Sequence, residues 1–201
     1  PKKKQLSASE RDEPKRAAYR TAVASLDPRH LVFLDECGTH RSLTRTYARA
    51  PRGQRAEDRV PRNRGRVTTV LASLTLDGLG PTQTRSGGTN KGAFLDYLQE
   101  HLAPTLRPGQ TVILDNLGAH LATEVRAVIE ARGASLQYLP AYSPDFNPIE
   151  HAFSKLKAAL RKSAARTPEA LDAAIHDALP TVTAADAAGW FAHCGYGHVR
   201  Q

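Results

Sequence analysis

Two segments of the chain share one construction, four residues of strand character followed by an aspartate: Leu31-Val32-Phe33-Leu34 before Asp35, and Thr111-Val112-Ile113-Leu114 before Asp115. Apolar runs of that length suit interior strands buried on both faces. If the two strands are parallel neighbours, both carboxylates emerge at one end of the sheet, where ligands bind in open α/β sheets. Each aspartate alone could simply start a turn, since Asp-Glu-Cys-Gly and Asp-Asn-Leu-Gly are turn-like. The repetition favours function. A third acid, Glu150, lies in Tyr142-Ser143-Pro144-Asp145-Phe146-Asn147-Pro148-Ile149-Glu150. Asn147 is expected to cap a helix, with Pro148 first and Glu150 third, and Asn-x-x-Glu also resembles a capping box. The two prolines fix the direction in which Glu150 points. Three converging carboxylates repel one another unless a cation intervenes. Hard oxygen ligands suit Mg²⁺ or Mn²⁺. Two such ions, roughly 3.5–4 Å apart, activate a water or a 3′-hydroxyl and stabilise the leaving oxygen in phosphodiester displacement.

Charge supplies the second signal. The 201 residues hold 28 Lys and Arg against 20 Asp and Glu, and 17 of the bases but only 8 of the acids precede Val67. Nine arginines fall in one short stretch: Arg41, Arg45, Arg49, Arg52, Arg55, Arg59, Arg62, Arg64 and Arg66. Only Glu57 and Asp58 oppose them. A solvated, solubilising loop would explain the charge. The preference for arginine over lysine instead suits bidentate phosphate contacts, so the expected partner is a polyanion, most simply nucleic acid.

Weaker candidates surround the acids. His120 follows Asp115 by five residues, which places it at a helix start within reach of a phosphate, or as a capping or core histidine. Asn116 and Asn147 could support the acids through hydrogen bonds, although both suit ordinary turns. Cys37-x-x-His40 and Cys194-x-x-x-His198 are too far apart in sequence to argue for zinc. No phosphate-loop motif occurs. Trp190 and Phe191 read as helix packing rather than a base-stacking platform.

The elements that must position these residues follow from periodicity. A charged start, with Ser7 to Glu10 as a capping box, leads to a short helix faced by Ala18, Tyr19, Ala22, Val23 and Leu26. Strands are expected at 31–34, 67–76, 111–114 and 136–139. Helices are expected at 90–102, 121–131, 149–160, 168–179 and 184–192. The gap with Pro51, Pro61 and the arginines is expected to hold an edge hairpin with a basic loop. This order predicts an α/β fold, a mixed sheet flanked by helices. No stretch approaches eighteen consecutive apolar residues, so no membrane span is expected. The start lacks a signal-peptide core and only two cysteines occur, which predicts a reduced, cytoplasmic setting. The absence of methionine predicts a processed product or part of a longer one.

Leu34-Asp35-Glu36, Leu114 to His120 (LDNLGAH) and Tyr142 to Lys157 (YSPDFNPIEHAFSKLK) resemble the mariner-related bacterial insertion-sequence transposases of the six-thirty group. The likeness runs from about Leu6 to Tyr196 and includes Arg49 to Gly53 and Phe191 to His193. Glu150 lies 35 positions after Asp115, the spacing that family uses for its second and third catalytic acids. The resemblance implies an RNase H-like five-stranded sheet and an Asp-Asp-Glu site at Asp35, Asp115 and Glu150 holding two Mg²⁺ or Mn²⁺ ions. It also implies cut-and-paste strand cleavage and transfer on double-stranded DNA, a TA target, and a homo-oligomer assembled on the DNA. The site would lie in a catalytic domain at 28–165, with a charged linker or helix at 1–27 and a helical extension packed on it at 166–201. The implied location is cytoplasmic, with the nucleoid when DNA is bound. The family carries an N-terminal helix-turn-helix region for which the chain has no room, so the catalytic half of a longer or split protein is expected. Leu121 stands where the pattern often has a basic residue, which removes one phosphate contact. A catalytically silent DNA-binding derivative is the alternative.

Overall fold

The apolar runs at 31–34 and 111–114 do become neighbouring interior strands. The computed structural model describes residues 8–118 and 120–197. Its sheet has the order β3-β2-β1-β4-β5, formed by β1 (Leu31–Thr39), β2 (Thr68–Thr75), β3 (Gly78–Ser86), β4 (Thr111–Leu114) and β5 (Ser135–Tyr138). β1 pairs antiparallel with β2 and parallel with β4, and β4 pairs parallel with β5. This is the RNase H-like mixed sheet. Alternation along β1 and β4 divides the core into two layers. Leu31, Phe33, Cys37 and Ile113 face one apolar cluster, Val32, Leu34, Val112 and Leu114 the other.

Six α-helices cover the faces among the described residues: α1 (Glu13–Val23), α2 (Lys91–Tyr97), α3 (Thr123–Glu130), α4 (Ile149–Ser163), α5 (Pro168–Ala178) and α6 (Ala184–His193). α4 buries Ile149, Ala152, Phe153, Leu156 and Leu160 at helical spacing against the first layer. α5 and α6 join the same cluster through Leu171, Ile175 and Phe191, whose ring meets Phe33 edge-on at 5.2 Å. Phe94 and Tyr97 of α2 and Val125 and Ile129 of α3 fill the second layer. No helix is long and apolar enough to cross a membrane among the described residues.

Several expectations need correction. Asp12, not Ser9 or Glu10, is the residue that caps α1, accepting from Lys15 N at 3.0 Å; Ser7 lies outside the described residues. The buried stripe of α1 is Arg16, Tyr19 and Val23, while Ala18 and Ala22 stay exposed. No hairpin forms within 40–67, which carries no strand or helix. The hairpin is β2–β3, and β3 escapes a pattern search because an edge strand half open to solvent needs no apolar run and tolerates Pro81. The helix expected at 90–102 is regular only to Tyr97, then loosens through a π turn (Leu98–Leu102) as Pro104 approaches.

Candidate active site

β1 and β4 are in parallel register at Phe33 and Ile113, two residues before each aspartate. The alternation that buries Phe33 and Ile113 in one layer therefore turns Asp35 and Asp115 to that same face. The strands part here. β1 continues through Asp35 to Thr39 on its β2 side, whereas β4 ends at Leu114. Asp35 is thus a strand residue beside an opening, not the start of a turn.

Asp35 is only 7% exposed, accepting from its neighbour Glu36 N at 2.7 Å and from Asn147 Nδ2 at 2.8 Å. Burial pushes its carboxyl up to about 7; the Glu36 amide opposes this, and the charges of Asp115, Glu150 and Glu36 reinforce it. Asn147 is itself buried, and its Oδ1 has no hydrogen-bond partner among the described residues. The capping role expected of Asn147 does not occur. Its backbone is extended just before Pro148 turns helical, but its side chain reaches across 112 positions to Asp35.

Asp115 is held from the other layer. Its Oδ1 accepts from Leu117 N at 3.1 Å and from His120 Nδ1 at 2.5 Å, while Oδ2 accepts no bond among the described residues. His120 is fully buried, and its Nε2 reaches Glu36 Oε2 at 3.0 Å. Carboxylates only accept, so both ring nitrogens donate and the ring is an imidazolium. Burial alone would lower its pKa, but the bonds to Asp115 and Glu36 outweigh it and hold the ring at about 9. Burial would likewise raise Asp115, yet the His120 bond leaves it below the usual carboxylate range. The face of Phe94, 4.2 Å away between ring centroids, suits this cation.

Glu150 is exposed in the first turn of α4 and makes no ion pair or hydrogen bond among the described side chains. The turn before it, Pro144–Phe146, is gripped from both ends of the chain. Arg16 of α1, 1% exposed, donates to both oxygens of Asp145 at 3.1 and 2.6 Å and lies 4.0 Å over the Phe146 ring. Tyr19 stacks on that ring, and Tyr196 Oη donates to the Phe146 carbonyl at 2.7 Å.

Asp35, Asp115, Asn147 and Glu150 line one cleft of about 380 Å³, faced across it by Leu117, Leu139, Pro140 and Tyr142. Tyr142 holds a left-handed backbone (φ 53°), a strained conformation for a non-glycine residue at the rim. No three His, Cys, Asp or Glu side chains already stand at metal-holding distances among the described residues. Each acid is engaged separately: Asp35 is tied to Asn147, Asp115 to His120, and Glu150 is exposed at the cleft. The all-oxygen donor set, with Asp115 Oδ2 and Glu150 free of other bonds among the described residues, nonetheless fits a hard divalent cation.

The remaining candidates separate. Asn116 donates to the Leu139 carbonyl at 2.7 Å and so shapes the cleft wall without touching the acids. The arginine segment leaves the site end of β1. Arg45, Arg49, Arg52, Arg55, Arg62, Arg64 and Arg66 are exposed and Arg41 is half-buried. The base of the loop is tied by Ser42 Oγ to the Pro61 carbonyl and by Arg166 to the carbonyls of Arg41 and Leu43. Cys37 and Cys194 are free and buried. Glu36 is the residue sequence reasoning missed. Its signal was the alternation itself, which turns the acid after Asp35 to the opposite face, toward the layer holding His120.

The chain spans 63% of the Mos1 transposase in a pre-cleavage transpososome, with 98% of its own length covered, 17% identity and a TM-score of 0.74. Against the Mos1 catalytic domain with raltegravir and Mg it covers 96% of itself and 92% of that chain, at 16% identity and a TM-score of 0.70. No curated protein sequence matches. The model of the DDE superfamily endonucleases matches residues 30–172, which takes in all three acids, and the chain belongs to that family.

Proposed function

We propose that this chain is the catalytic domain of a DNA transposase, with Asp35, Asp115 and Glu150 as the ligands of two Mg²⁺ or Mn²⁺ ions. The observation that carries the reading is the convergence on one cleft of three carboxylates from three separate elements in a DDE-family chain. Bound there, the ions would supply an activated water or 3′-hydroxyl and stabilise the leaving oxygen. Mos1 paired-end complexes with Mn and with Mg support divalent metal in this role. Residues 28–165 form the catalytic unit in this reading, flanked by the charged linker or helix at 1–27 and the helical extension at 166–201.

The chain's own residues prepare the site. Asn147 fixes the Asp35 carboxylate, His120 and the Leu117 amide hold one oxygen of Asp115, and the Pro144–Phe146 turn aims Glu150. Arg41, Arg45, Arg49, Arg52, Arg55, Arg62, Arg64 and Arg66 grip the backbone of double-stranded DNA without reading its sequence. Assembly on transposon ends as a homo-oligomer, joining to a TA target, and a cytoplasmic location beside the nucleoid complete the reading.

Nicking of supercoiled plasmid in Mn²⁺ tests it. Asp115→Asn should abolish nicking while mobility-shift affinity for duplex DNA stays equal or rises, because affinity comes from phosphate contacts. A melting curve alongside verifies folding. Near wild-type nicking by the folded variant would contradict the assignment, whereas a wild-type chain that binds duplex DNA without nicking it would favour the catalytically silent alternative.

A further inference from the structure

Glu36 takes no part in the three-acid site, yet a fully buried histidine links it directly to one of the three acids. It sits on β1 one residue after Asp35 and faces the opposite layer. There its Oε2 meets His120 Nε2 at 3.0 Å, and the other ring nitrogen meets Asp115 Oδ1 at 2.5 Å. The ring between them is fully buried and packed on Phe94, and the backbone carbonyl of His120 accepts from Tyr138 Oη at 2.8 Å. A buried imidazole with both nitrogens engaged cannot rotate without breaking a hydrogen bond in a dry layer. Its direction is therefore set by Glu36 at one end and passed to Asp115 at the other. The result is asymmetric: Oδ1 of Asp115 carries both hydrogen bonds and Oδ2 carries none among the described residues.

We propose that Glu36 is a positioning residue: acting through His120, it fixes the Asp115 carboxylate so that Oδ2 is presented to a cation in the cleft. The inference rests on the reading of Asp115 as a metal ligand. Glu36 itself contacts neither the cation nor the DNA. β1 thus serves the site from both faces, with Asp35 as a ligand on one side and Glu36 as an anchor on the other.

Two conservative variants separate positioning from charge. Glu36→Gln loses the charge but keeps an acceptor for His120 Nε2. Glu36→Asp keeps the charge but is one methylene shorter, which opens the 3.0 Å contact beyond hydrogen-bond reach. Mn²⁺ binding to the whole chain without DNA is measured by titration calorimetry, with Asp115→Asn as the reference for loss of a ligand. Glu36→Asp should weaken Mn²⁺ binding about 10-fold or more, the usual penalty for removing a partner that orients a ligand. Glu36→Gln should stay within a few-fold of wild type. In a His120→Phe background the Glu36→Asp effect should vanish, because the intermediary is gone. If that background does not fold, the Gln and Asp comparison decides alone. A loss in Glu36→Gln equal to or larger than in Glu36→Asp means that only the field of Glu36 matters and overturns the proposal. So does unchanged binding in both variants when Asp115→Asn has lost the metal. If Asp115→Asn itself binds Mn²⁺ normally, the metal-ligand reading fails and the positioning role falls with it.

Discussion

Neutralising Asp35 should make the metal-free protein more stable at neutral and alkaline pH. The carboxylate is 7% exposed, receives only two hydrogen bonds, and shares its surroundings with Asp115, Glu150 and Glu36. Its folded pKa of about 7 exceeds the ordinary aspartate value of about 3.9. The folded state therefore holds the Asp35 proton more tightly than the unfolded chain. Stability falls as pH rises from about 4 to about 7, by up to about 1.36 kcal/mol per pH unit, and levels off above that. Three pH units correspond to about 4 kcal/mol, a ceiling for the gain in Asp35→Asn at pH 8. The replacement keeps one hydrogen bond to Asn147, since a carboxamide at this position can accept from Asn147 Nδ2 as the carboxylate does. Urea unfolding in EDTA from pH 4.5 to 8.5 measures the effect. The variant should exceed wild type by about 2–4 kcal/mol at pH 8, with the gap shrinking below about 1 kcal/mol near pH 4.5. Added Mg²⁺ should raise wild type and leave the variant unmoved. A variant less stable than wild type at pH 8 in EDTA, or a gap that ignores pH, would refute the reasoning.

The Arg16–Asp145 pair should respond unequally to loss of either partner. Asp145→Ala strands a guanidinium that is 1% exposed and should cost about 3 kcal/mol, at the low end for a broken buried pair because Glu13 and the Phe146 ring remain. Arg16→Met leaves a carboxylate whose side chain is 47% exposed to water and should cost only about 1–2 kcal/mol in the same urea assay. The reverse order would mean that the guanidinium is not the buried member. Replacing Arg62, Arg64 and Arg66 with alanine should weaken binding to every duplex alike and lower the slope of log K against log salt by roughly 0.9 for each phosphate no longer neutralised. Equal slopes over a salt series would mark the loop as a solubilising surface instead.

The strands at 31–34 and 111–114, the helix beginning near Ile149 and the three acids were legible in the sequence because each is a local pattern. Apolar run length, the 3.6-residue period and a proline-pinned helix start depend on residues a few positions apart. β3 was not legible, since a half-exposed edge strand gains its order from β2 rather than from its own composition. Nor was the absence of strand and helix in 40–67, where proline and charge fit a turn of a hairpin as well as an open loop.

What the sequence by itself determined is where the three candidate acids stand on their own elements, a consequence of run length and spacing along the chain; that Asp35 and Asp115 come together, and that Glu150 faces the same cleft, follows from the pairing of β1 with β4 and the docking of α4. What only the tertiary structure decided is where their partners come from. Asn147, which fits a helix cap as well as a support for the acids, gives its amide to a carboxylate 112 positions away; His120 bridges Asp115 to Glu36, 84 positions away; and Arg16 meets Asp145 across 129. A buried polar side chain takes whatever partner the fold brings within reach, because leaving it unpaired costs more than any local preference it carries.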